Sequence, residues 1–328
     1  MRLLKCFVAL ALLLAVTVPA GAISFNQPYN GPIVIKIGDQ DMGTIYPDSG
    51  YPQGFSWVGG SPSPDLISGI QAMNLFKTTT GQATAAQSVT IVDPTTGHSI
   101  TTLEDSWGIA KVTGIYKADG VSTLWLPGST DGSELTVMFW GEVDFYAQSF
   151  NGVSYMSGVN MHYAVYQDFT PDYSGAAGSA GRTAIDQYTT VTDGTKVLEG
   201  KSRAGFLYAD TGKYSGAGGS TTEFASQFDF GSLTGNGSAY VDVTGGTDQV
   251  QFDTNTFFTP ASGANGIPDG ADMKFQFTTD PSFTWPGTDW LVGSNDPIKA
   301  DVIPEPLTML GVFLGVSGLG GYLRRRFA

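Results

Sequence analysis

Apolar and polar positions alternate in short blocks along most of this chain, and glycine or Asx residues cut the blocks at close intervals. The runs Ile33 to Ile37, Val89 to Val92, Ile109 to Tyr116, Leu135 to Trp140 and Val143 to Phe150 have strand character. β-Branched and aromatic side chains suit a pleated, half-buried surface. Val159 to Tyr166 sets Met161, Tyr163 and Val165 against His162, Ala164 and Tyr166. Ala204 to Tyr208, Phe224 to Phe230, Ala239 to Val243, Val250 to Phe258 and Met273 to Phe277 continue the pattern. Asp119-Gly120, Asp131-Gly132, Asn151-Gly152, Asp193-Gly194 and Asn236-Gly237 are hairpin-turn dipeptides. One helical pattern precedes the C-terminal region, Pro64 to Phe76, with Ser63 placed to cap it and Leu66, Ile70 and Met73 on one face. Many short strands and at most one short helix predict an all-β ectodomain, sandwich-like or jelly-roll-like. No helices alternate with the strands, which excludes a parallel α/β fold. No fixed-period repeat suggests a propeller. The loop-like stretches Pro171 to Gly181 and Thr211 to Thr222 leave a single domain as the simplest division.

The two ends follow other rules. Met1 to Lys5 is a basic n-region, Cys6 to Val18 an apolar h-region, and Ala20-Gly21-Ala22 an A-x-A cleavage site. Residues 1–22 therefore read as a signal peptide handled by the Sec translocon and signal peptidase, with Ala20 and Ala22 in the peptidase pockets and Ile23 as the mature start. At the other end, Leu307 to Leu323 carries no charge. As a helix rising ~1.5 Å per residue it spans roughly 25 Å, the low end of a bilayer core. Arg324, Arg325 and Arg326 form a basic stop that places the bulk of the chain outside. The expected order is signal peptide (1–22), β-rich ectodomain (23–293), linker (294–303) and tail (304–328).

Three parts of that tail occur in a set order: Pro304-Glu305-Pro306, the apolar span 307–323, and the arginines 324–326. Together with an export signal, the arrangement resembles the PEP-CTERM sorting signal of Gram-negative bacteria. The resemblance covers residues 304–328 alone. It implies recognition by an exosortase, a membrane cysteine protease, and co-occurrence with exopolysaccharide production. It also implies a transient inner-membrane anchor, then release to the surface or medium. Asp105-Ser106-Trp107-Gly108-Ile109, Leu124-Trp125 and Arg182-Thr183 with Val191 to Thr195 resemble uncharacterised PEP-CTERM ectodomains and imply no activity.

Charge and cysteine usage narrow the partners. Cys6 is the one cysteine and leaves with the signal peptide, so the mature chain has neither disulfide nor thiol chemistry. The whole chain carries 16 basic and 30 acidic residues; trimming both ends leaves 11 and 29, a net charge near −18. Nucleic acid and anionic lipid need a basic footprint and are disfavoured. Divalent cations and neutral glycans are compatible, although solubility outside the cell accounts for much of the charge.

Candidate chemistry is sparse. His98 sits in a turn-like segment and His162 in a strand, with no G-x-S-x-G elbow and no H-E-x-x-H, so neither a Ser-His-Asp triad nor a zinc site is indicated. Glu142 and Asp144 share one strand face, with Glu134 close in sequence, and form the one carboxylate pairing suited to glycoside hydrolysis. Asn265, Asp269 and Asp272 gather oxygen donors in a tight loop, a calcium candidate without EF-hand spacing; no other cofactor is indicated. Trp285 and Trp290, in a Pro-Gly loop, are the aromatics expected to be exposed and to stack on sugars. The expected function is a non-enzymatic surface or matrix protein linked to exopolysaccharide or biofilm. A glycan-binding adhesin and a polysaccharide-acting hydrolase are the alternatives.

Overall fold

The computed structural model describes residues 23–43, 66–80, 83–93, 96–128, 131–150, 153–204, 223–229, 231–257 and 270–303. The strands are β1 (Gly31–Gly43), β2 (Ser88–Val92), β3 (Ser99–Leu103), β4 (Ser106–Lys117), β5 (Thr123–Trp125), β6 (Glu134–Phe150), β7 (Val153–Val159) and β8 (His162–Asp168). They continue as β9 (Arg182–Ala184), β10 (Gln187–Tyr188), β11 (Thr195–Ser202), β12 (Phe224–Asp229), β13 (Thr234–Gly245), β14 (Met273–Thr279), β15 (Val292–Ser294) and β16 (Pro297–Val302). Helix α1 spans Leu66–Thr80, and a single helical turn spans Gln249–Phe252. The chain is all-β, as its alternating pattern predicts. Among the described residues no helix is long and apolar enough to cross a membrane.

Twelve of these strands form one antiparallel sheet that closes on itself, and β2–β3 and β9–β10 are separate two-stranded pairs. Its circuit runs β1–β4–β6–β8–β11–β13–β14–β16 and back to β1, each neighbour antiparallel. Two long strands, β6 and β13, change partners along their length. β6 pairs through 134–140 with β8 and from Val143 onward with β7. β13 pairs with β12 through 234–239 and with β11 from Val241 to Gly245. The β7–β12 pair thus extends one wall of the barrel beyond β8–β11. Closure leaves this part of the sheet no free edge to recruit another chain.

Every strand of the circuit supplies a side chain to one interior cluster. It contains Ile33, Ile35, Ile37, Val112, Val137, Tyr163, Leu198, Val241, Met273 and Ile298 among others. Burial of this kind contributes roughly 1.5–3 kcal/mol per large aliphatic side chain. The outer faces are covered in two places. Trp107, Ile109, Met138, Trp140 and Tyr166 lie under two segments, one carrying Tyr188 and Val191 and the other Trp290. Val143 and Phe145 of β6 lie under α1 through Leu66 and Ile70, beside Val89 and Ile91 of the β2–β3 hairpin.

Several expectations are corrected. The two facing sheets of a sandwich are replaced by one closed sheet. Asn236-Gly237 is no turn; it lies inside β13, where the Phe277 ring crosses so close to Gly237 that a Cβ would come within 2.1 Å of it. Within the expected strand Val250 to Phe258, the described residues 250–257 form a helical turn and then an isolated bridge at Phe257. The expected linker 294–303 contains β16, paired with both β1 and β14, and Ile298, Ala300 and Val302 alternate into the core. The signal peptide with Ala20 and Ala22, Ser63, the run from 205 to 208, Asn265, Asp269 and the tail 304–328 lie outside the described residues.

Candidate functional site

The lumen is apolar at one end and acidic at the other. Along β1 the inward positions are Ile33, Ile35 and Ile37, and the same parity then delivers Asp39 and Asp41. On β6 the inward residues Leu135 and Val137 are odd-numbered. Gly141, with φ +80°, interrupts the ladder between β8 and β7 and inverts the parity. Val143 and Phe145 then face α1, while Glu142 and Asp144 face inward.

Gly141 is held by a built device. Its N–H donates to Glu104 Oε2 (2.7 Å), and its carbonyl accepts from Asn160 Nδ2 (2.8 Å). Glu104 also accepts from the Gln87 N–H (2.8 Å) and pairs with buried Arg182, whose guanidinium lies 4.4 Å from the Trp107 ring centre. A buried pair of this kind persists because every polar group in it is engaged.

The acidic end holds about 790 Å³ of atom-free space, part of it open to solvent. Ile37, Val137, Phe139, Met161, Phe224, Phe275 and Phe277 form its apolar wall. Phe224 stacks on Phe277 with ring centres 5.0 Å apart, and Tyr163 meets Phe275 edge-on at 5.5 Å. An adjoining space shares Asp41, Ser106, Glu142, Phe224, Phe277 and Thr279 with it and is lined further by Asp105 and Asp144. Asp105, Glu142 and Asp144 are buried, and each offers a carboxylate oxygen within 4.8 Å of the others. The Asp105 N–H donates to the Glu142 carbonyl (2.7 Å) and Asp105 Oδ2 accepts from the Asp144 N–H (2.7 Å), so the backbones are locked together. Ser106 Oγ donates to Asp41 Oδ1 at 2.9 Å.

Three buried polar atoms in this lining, Asp39 Oδ1, Tyr163 Oη and Thr279 Oγ1, have no hydrogen-bond partner among the described residues. Asp39 and Thr279 are each only 8% exposed. Burial pushes the Asp39 carboxyl up from 3.8 to about 7, with Asp296 adding to the rise and the Ser294 N–H opposing it. Burial and the Asp39 carboxyl push Asp41 well above the carboxylate range, although part of Asp41 stays accessible. Burial, then Asp272 and Asp242, push Tyr163 well above 10. Among the described residues no Lys, Arg or His lines the space.

The other sequence candidates are placed as follows. Glu142 and Asp144 do share a face, as their spacing predicts, but Glu134 is elsewhere. It pairs with Lys111 (2.7 Å) and accepts from the Asp172 and Tyr173 N–H groups. Burial raises its carboxyl, and those bonds outweigh the rise. Trp290 is not exposed. It is 5% accessible, donates its indole N–H to the Gly175 carbonyl (2.7 Å) and packs on Trp107 at 5.3 Å. Trp285 is half-buried against Tyr173 and donates its backbone N–H to Gln40 Oε1 (2.5 Å). The loop docks its rings inward because apolar surface on β4 and β6 needs a cover. Asp272 is a buried brace: Val243, Thr254 and Asn255 donate backbone N–H groups to it at 2.7–2.8 Å. His162 stacks on Trp140, and burial, then Lys201, lower its pKa. His98 closes the β2–β3 turn, its carbonyl accepting from the Asp93 N–H.

Sequence reasoning missed Asp39, Asp41 and Asp105. The parity of Ile33, Ile35 and Ile37, carried two steps further, was the available signal for the first two. Comparison with protein-family models, with curated proteins and with solved structures returned no match.

Proposed function

We propose that this chain is an exported surface or matrix protein, processed by an exosortase, whose barrel acts by binding rather than by catalysis. The export and release half rests on residues 1–22 and 304–328, whose order resembles the PEP-CTERM arrangement. The binding half rests on one observation: Asp39 Oδ1, Tyr163 Oη and Thr279 Oγ1 line an aromatic-walled space without hydrogen-bond partners. Buried polar atoms left unpaired are costly, by about 1–3 kcal/mol each, and a ligand that bonds them recovers that cost. Partition into an exopolysaccharide-rich surface layer is the expected destination. The test is fractionation of the tagged chain in cells with and without their exosortase. Release that is independent of the protease refutes the sorting half.

A polysaccharide-acting hydrolase is the second reading, favoured by the convergence of Glu142, Asp144 and Asp105. The oxygens lie within 4.8 Å of one another, nearer the ~5–5.5 Å of a retaining carboxylate pair than the ~6.5–9.5 Å of an inverting one. Release of reducing sugar that is lost in Glu142→Gln selects this reading. A glycan-binding adhesin keeps only Trp285 as a partly accessible aromatic from its expected pair.

A further inference from the structure

We propose that the acidic end of the lumen is a calcium site, with Asp105, Glu142 and Asp144 as its carboxylate ligands. Calcium binds oxygen at about 2.3–2.6 Å, so oxygens on opposite sides of one ion lie about 5 Å apart. Three carboxylate oxygens within 4.8 Å of one another can therefore touch the same ion. Oxygen-only donors suit a hard cation and disfavour zinc or copper.

The site is built rather than accidental. Gly158 on β7 leaves open the place Glu142 occupies: a Cβ there would stand 1.8 Å from Glu142 Oε1. The Asp105 N–H bond to the Glu142 carbonyl and the Asp144 N–H bond to Asp105 Oδ2 fix the three positions relative to one another. Independently of the three ligands, Thr279, more than nine-tenths buried, turns an unpartnered hydroxyl into the space that Asp105, Glu142 and Asp144 line, and Asp39 turns an unpartnered carboxylate oxygen into the adjoining space that shares Glu142. An ion with its shell of water supplies the donors and the positive charge those groups lack.

This inference specifies the ligand of the binding reading and is independent of sorting. The test is titration of the purified full chain, stripped with chelator, by calcium chloride, followed by calorimetry and thermal melting. One saturable site and a rise in Tm are expected, with magnesium at least tenfold weaker. Glu142→Gln should weaken calcium binding at least tenfold while leaving the ion-free protein no less stable, since it removes a buried charge. Asp168→Asn, in the separate Glu134–Asp168–Asp172 grouping, should bind as the parent does. No saturable binding up to 10 times the millimolar range typical of extracellular sites (about 10 mM) overturns the proposal. So does binding that survives Glu142→Gln and Asp144→Asn, or that Asp168→Asn removes. Binding of an organic ligand without calcium leaves the binding reading standing and the calcium proposal refuted.

A different observation carries a second inference. Ile23 is buried, and its backbone N–H donates to Oδ2 of buried Asp248 at 2.7 Å. We infer that cleavage after Ala22 converts this bond into an ion pair between the new α-ammonium and Asp248. Processing would then add a charge-assisted lock to the apolar end of the barrel. The inference rests on the export reading. N-terminal sequencing of exported protein that finds a start other than Ile23 overturns both. With Ile23 confirmed, Asp248→Asn should lower Tm several degrees more in processed protein than in chain left uncut by Ala22→Phe. Equal losses overturn the ion pair and leave the export reading intact.

Discussion

Replacing Asp39 by asparagine keeps the shape of the side chain and removes its proton. In the folded protein the Asp39 carboxyl titrates at about 7 against 3.8 in the open chain. A raised folded value means that the folded state holds the proton more tightly. The associated stability is complete below about pH 4 and is lost as pH rises through about 7. At about 1.4 kcal/mol per pH unit, that interval amounts to about 4 kcal/mol. Wild type and Asp39→Asn should therefore be similarly stable near pH 4. By pH 8 the variant should be the more stable by up to about 4 kcal/mol from Asp39 itself, and the relief of Asp41, which Asp39 also raises, adds to this. The assay is urea unfolding in chelator at several pH values between 4 and 8, followed by circular dichroism. Parallel stability curves for the two proteins refute the assignment of Asp39 as a buried, unneutralised acid.

Four further outcomes are expected. Arg182→Met strands the Glu104 carboxylate and should cost about 3–5 kcal/mol in denaturant unfolding at pH 7; a loss under about 1 kcal/mol shows that the two backbone N–H groups suffice for Glu104. Trp290→Phe leaves the Gly175 carbonyl without its donor and should cost about 1–3 kcal/mol, measured the same way. Ala22→Phe should leave the precursor uncut, because the peptidase pocket takes small residues; N-terminal sequencing that returns Ile23 contradicts this. Glu305→Ala keeps both prolines and the apolar span, so membrane insertion should persist while release stops; full release of a tagged chain reduces Pro304-Glu305-Pro306 to a spacer.

The strands were legible because a strand repeats every two residues, and runs such as Ile33 to Ile37 or Met273 to Phe277 show that period openly. Closure was not legible. It depends on β6 and β13 each serving two partners in series, which leaves no mark on local composition. Turn chemistry misled at Asn236-Gly237, where the glycine answers a crossing Phe277 ring instead of a positive φ. Asn295-Asp296-Pro297 looked like linker, yet Ile298, Ala300 and Val302 beyond it keep strict alternation. At the acidic end the pairing of Glu142 with Asp144 was readable, but its direction was not. Gly141 sets that direction, and one glycine in a chain with 44 carries no flag of its own. Trp290 was misplaced because its Pro-Gly neighbours suggest a surface loop, while the rings beneath it are what the loop covers.

β16 ends where β1 begins: Val302 lies opposite Gly31, and Ile303 donates its N–H to the Gln251 carbonyl on the helical turn beside Asp248. Asp41 lies ten residues further along β1, roughly 33 Å of extended strand away. The chain therefore enters and leaves the barrel at the apolar pole, and the carboxylates occupy the opposite one. In the sorting reading proposed above, a barrel tethered by the segment after Ile303 would stand on the end that holds Ile23 and Val302, with its acidic end directed away from the tether. Release would free the molecule without turning it over, so the face it offers its surroundings is the same before and after the cut.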